Sequence, residues 1–76
     1  RGIAHCAKKL GEEAVETALA AVAEDRERFT SEVGDLLYHL LVLMEARGVE
    51  LSEVEAALEK RMARSGLQEK AARPPA

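Results

Sequence analysis

Five carboxylates in the first half of the chain are spaced for chemistry. Glu13 and Glu16 stand one helical turn apart with Glu12 beside them, and Glu32 and Asp35 repeat the same interval. On a helix this spacing puts both members of a pair on one face. Like charges so placed cost roughly 0.2–0.5 kcal/mol per pair. If the two pairs met, the repulsion and the loss of water would drive some of the carboxyls toward their neutral forms unless a cation held them ionised. Hard divalent cations take oxygen ligands, and Mg²⁺ suits a few carboxylates together with waters and phosphate oxygens. A Mg²⁺ site, with Mn²⁺ as the alternative ion, is one reading of Glu13, Glu16, Glu32 and Asp35. The other is that all of them are ordinary surface charges, since E-x-x-E and E-x-x-D strings are common on helices.

The elements that must position these residues read as helices. Only two residues are aromatic, one Tyr and one Phe, strand-like alternation is missing, and apolar residues recur at helical spacing. The first helix is expected over Ile3–Ala23. Its small-residue stripe is Ile3, Ala7, Leu10, Ala14, Ala18 and Ala21, with Val15, Leu19 and Val22 as a second edge. The second starts between Asp25 and Thr30, either of which could cap it, and closes near Arg47 at Gly48. The third opens at Leu51-Ser52 with a Ser52/Glu55 capping box and ends near Arg64. The connection between the first two is short, so they should pack antiparallel and bring the two carboxylate pairs to similar height. The stretch "DLLYHLLVLM" in the second helix is apolar on every side, and two short neighbours cannot enclose it. The expected architecture is therefore all-α: a three-helix antiparallel chain that completes a dimeric helical bundle with a second copy.

Size and charge narrow the classes further. Seventy-six residues make a single domain, 1–76, with 67–76 read as a flexible tail. The one cysteine, Cys6, excludes an intramolecular disulfide and suits a cytoplasmic setting. The net charge of −3 hides an acidic centre between basic ends, a poor pattern for nucleic acid. No apolar run approaches the ~20 residues of a membrane span. His39, within the apolar run, reads first as a hydrogen-bonded core or interface residue and second as a ligand.

The phrases "KKLGEEAVE", "DLLYHLLVL", "ARGVELSEV" and "SGLQEK" closely resemble the phosphoribosyl-ATP pyrophosphohydrolase family, within the all-α nucleoside-triphosphate pyrophosphohydrolases that include MazG-type enzymes. The resemblance covers about residues 3–70. It implies Mg²⁺-dependent hydrolysis of phosphoribosyl-ATP to phosphoribosyl-AMP and pyrophosphate, the second step of histidine biosynthesis, by a homodimer. Glu13, Glu16, Glu32 and Asp35 correspond to metal ligands, and Glu12 to a further ligand or a group orienting the attacking water. Lys9, with Lys8 as a weaker candidate, corresponds to a phosphate contact, as do Lys70 and Arg73 near the C-terminal end. Family members carry a further helical segment before "KKLGEEAVE" that this chain is expected to lack, and Gly34 stands where they favour alanine. Two rival readings share the fold: a housecleaning pyrophosphohydrolase of other nucleoside triphosphates, and a helical dimerisation module without catalysis.

Overall fold

The computed structural model describes the backbone of residues 2–72 and the side chains of residues 2–64 and 66. Three helices follow one another: α1, Ile3–Ala23; α2, Arg26–Arg47; and α3, Leu51–Ala72. There is no strand among the described residues.

Local chemistry accounts for each boundary. The chain turns between α1 and α2 at Glu24 and Asp25, and the Asp25 carboxylate accepts the Arg28 N–H at 2.8 Å, satisfying one of the free amides of the new helix. Of the two candidate caps, then, Asp25 does the work. Thr30 lies inside α2, its hydroxyl donating to the Arg26 carbonyl at 2.7 Å. Replacing Asp25 by Ala should lower stability by about 1 kcal/mol, read as a shift of the urea midpoint at constant slope. Gly48 ends α2 at φ 69°, a left-handed conformation that favours glycine, and the Val49 N–H reaches back to the Met44 carbonyl at 2.9 Å.

Helix α3 differs from expectation at both ends. The reciprocal cap forms two residues earlier in register than a Ser52/Glu55 box: the Glu50 N–H donates to the Glu53 carboxylate at 2.8 Å, and the Glu53 N–H to the Glu50 carbonyl at 3.0 Å. The helix also runs past Arg64 and through Gly66 to Ala72. One glycine costs a helix only about 1 kcal/mol, and Leu, Gln, Glu, Lys and Ala beyond it are strong helix formers.

α1 and α2 pack against each other as a hairpin, while among the described residues α3 lies along neither of them. The face that α1 turns to α2 runs through Cys6, Lys9, Leu10, Glu13, Thr17 and Ala20. The expected stripe through Ala14, Ala18 and Ala21 is exposed instead, as is its second edge, with Val22 at 88%. From α2 the inward residues are Phe29, Glu32, Val33, Leu36, His39 and Leu43, at helical spacing. Gly34 is not a point of close approach, since a Cβ there would meet nothing within 4 Å.

The hairpin buries little. Among the described residues only Thr17, Ala20 and Glu32 are buried, and no large apolar side chain is enclosed. The radius of gyration is 16.9 Å, against about 11 Å for a compact chain of this length. The smallest dimension, 17 Å, is a single layer of helices. Leu37, Tyr38 and Leu41 lie exposed on the outer face of α2, with Tyr38 at 64%.

Candidate metal centre

The hairpin brings Glu13 and Glu16 of α1 against Glu32 of α2. One carboxylate oxygen from each lies within 4.8 Å of the other two. Glu32 is only 9% exposed, and the Glu13 side chain only 12%. Oε2 of Glu13 and Oε2 of Glu32 are both buried and have no hydrogen-bond donor. Buried polar atoms without partners are rare and costly, so two on neighbouring acids are the observation against which a positive ligand can be tested. An all-oxygen donor set with unsatisfied lone pairs fits a hard divalent cation, and it does not fit the thiolate and imidazole preference of zinc.

The electrostatics agree. Loss of water first, then the neighbouring charges of Glu16 and Asp35, push the Glu13 carboxyl above its ordinary range; His39 opposes them. Its Nε2 stands 3.9 Å from Glu13 Oε1, too far for a hydrogen bond, and its ring meets Tyr38 edge-on at 5.2 Å. The histidine is thus a neighbour of the acids and, within this chain, only partly buried. Arg28, one turn before Glu32, places Nε 3.7 Å from Glu32 Oε1. It shares an open cleft of about 330 Å³ with Glu16, Leu19, Ala20, Ala23, Glu24 and Glu32.

The other candidates fall around this trio. Asp35 is exposed and outside the group of three, though close enough for its charge to act on Glu13. Its side chain is one methylene shorter than that of Glu. Glu12 turns aside, 46% exposed, and pairs with Lys9 Nζ at 3.5 Å. Lys8 is exposed. The Lys70 side chain and Arg73 lie outside the described residues.

Thr17 was not singled out by sequence reasoning. Its hydroxyl lies 2.7 Å from the Glu13 carbonyl oxygen and 3.1 Å from the Glu32 carbonyl oxygen. The available signal was a β-branched hydroxyl residue, one turn after Glu13, in a helix otherwise rich in alanine.

A helical hairpin that gathers glutamates from both arms around a shared centre defines an all-α protein with a candidate acidic metal site. The chain belongs to the phosphoribosyl-ATP pyrophosphohydrolase family, whose sequence model matches residues 1–62. It is 63% identical over 73 residues to phosphoribosyl-ATP pyrophosphatase 1 of Bradyrhizobium diazoefficiens, a match spanning 96% of this chain and 69% of that protein. It is 62% identical to the phosphoribosyl-ATP pyrophosphatase of Azorhizobium caulinodans over 96% of this chain and 67% of the relative. With the enzyme of the same name from Methylobacterium radiotolerans it shares 60% identity over 99% of this chain and 70% of the relative.

Proposed function

We propose that this chain hydrolyses phosphoribosyl-ATP to phosphoribosyl-AMP and pyrophosphate, the second step of histidine biosynthesis, with a Mg²⁺ or Mn²⁺ ion held by Glu13, Glu16 and Glu32. The observation that carries the metal part is the pair of buried, donorless oxygens on Glu13 and Glu32, two members of a trio whose carboxylates meet across two helices. The family and the names of its relatives support the substrate.

A bound divalent ion would neutralise charge on the phosphoanhydride and favour ionised, attacking water. The chain's own residues supply the rest. Glu13, Glu16 and Glu32 would hold the ion, with Asp35 near enough for its charge to act on Glu13. Lys9 is one turn before Glu13 and only loosely paired with Glu12, so its ammonium is available to a phosphate. Glu12, released from that pair, is the group assigned to orient water. Little covalent chemistry is asked of the protein, because phosphoryl-type transfer is driven by positioning and charge.

The reading includes a homodimer working in the cytoplasm. No helix among the described residues is long and apolar enough to cross a membrane. The exposed Leu37, Tyr38 and Leu41, and the lack of an enclosed core among the described residues, favour a second copy as the covering layer. Sedimentation at micromolar concentration should give twice the chain mass, and Tyr38→Glu should shift it to monomer. A monomeric parent chain would remove the dimer from the reading.

The experiment for the activity is pyrophosphate release from phosphoribosyl-ATP and from dATP, each with Mg²⁺ and with chelator. Release from phosphoribosyl-ATP that needs metal supports the reading. Preference for dATP would transfer the chain to the housecleaning group, and no release from either would leave the dimerisation module.

A further inference from the structure

Burying a hydroxyl is costly unless it is hydrogen-bonded, and threonine is a weaker helix former than the alanines around it. Thr17 is nevertheless buried at the contact of α1 with α2. Its single proton is shared between two carbonyls, at 2.7 Å and 3.1 Å, one belonging to Glu13 and the other to Glu32. Among the described residues the bond to Glu32 is the one hydrogen bond that joins the two helices. It therefore ties the backbone of a candidate ligand on α1 to the backbone of a candidate ligand on α2, at the height of the acidic trio.

The spacing of carboxylates on two helices depends on how far the helices slide and rotate against each other. Small apolar contacts such as Ala20 set closeness but do not fix sliding. A directional bond does. We propose that Thr17 is a positioning residue of the metal centre, fixing the register of α1 on α2 so that Glu13 and Glu32 share one ion; the inference rests on the metal reading above.

Mn²⁺ binding to the purified chain, read from the EPR signal of free Mn²⁺, tests it in wild type, Thr17→Val and Thr17→Ser, with helix content checked by circular dichroism. Thr17→Val keeps the shape and removes the donor. It should weaken Mn²⁺ binding by about 10–100-fold, the usual effect of losing a group that orients metal ligands. The Mg²⁺ concentration for half-maximal pyrophosphate release should rise by the same factor. Thr17→Ser, which keeps the donor, should bind close to wild type. Unchanged binding by Thr17→Val overturns the positioning role, and so does an equal loss in Thr17→Ser, which would trace the effect to the methyl group. If Thr17→Val does not fold, Thr17→Ala is read by the same criteria. No Mn²⁺ binding by the wild type overturns the metal reading itself, a result distinct from either of these.

Discussion

Glu32→Gln will reduce metal-dependent pyrophosphate release by about a thousandfold while the helices persist. The size follows from what the carboxylate is asked to supply. Metal stabilisation of transition-state charge amounts to several kcal/mol, and each 1.36 kcal/mol is a factor of about ten in rate. Gln preserves the volume of Glu and its place on α2, but it is a neutral and weaker ligand. Stability should not fall with activity. Glu32 is buried beside Glu13 and Glu16, so removing its charge relieves repulsion and desolvation cost. What is lost, the 3.7 Å pairing with the largely exposed Arg28, is worth little. Steady-state assay and thermal melting of the same preparation check both halves. A variant that keeps wild-type turnover would remove Glu32 from the centre.

The second large effect is thermal. Mg²⁺ or Mn²⁺ at about a hundred times its dissociation constant should stabilise the fold by about 2.7 kcal/mol, a rise on the order of 10 °C or more for a chain this small. Chelator should reverse it. The gain will depend on pH, with a sign fixed by Glu13. Its carboxyl is raised in the fold, so in the window above the ordinary Glu value of about 4.3 the folded chain binds more protons than the unfolded one. Metal-free stability therefore falls as pH rises through that window and levels off above the raised value. Metal binding runs the other way, because the ion competes with the proton. The difference in Tm between metal-loaded and chelated protein should be small in mild acid, grow as pH rises, and then level off. Melting curves at a series of pH values measure it. A metal increment that is absent at every pH would refute the centre.

Much of the fold could be read from local chemistry. The bounds of α1, the Asp25 cap and the Gly48 stop depend on residues within a turn of each boundary, and they lie where the sequence places them. The meeting of Glu13 and Glu16 with Glu32 followed from a short connection and equal distances along two antiparallel helices. The buried face of α1 was less legible. Ala14, Ala18, Ala21, Val15, Leu19 and Val22 mark apolar surface, but periodicity cannot say whether such surface meets the same chain or another one. The face turned to α2 instead runs through Glu13 and Thr17, whose polarity hides it from an apolar count. For α3 the competition was between neighbouring caps: Glu53 reached the Glu50 N–H, so the Ser52/Glu55 pairing was not needed. Asp35, placed by spacing among the candidate ligands, is exposed and stands outside the trio, though its charge still acts on Glu13.

Every glutamate of the trio comes from one helix–turn–helix unit, joined by the two residues Glu24 and Asp25. Bringing Glu13 to Glu32 thus requires only a short loop to close, a step that costs little chain entropy and is rapid compared with the assembly of distant segments. A divalent ion held by the trio would in this sense be a clasp on a local fold. It would be fastened while the chain is still a single strand of helices, so cation supply would favour the nucleus from which the remaining structure grows.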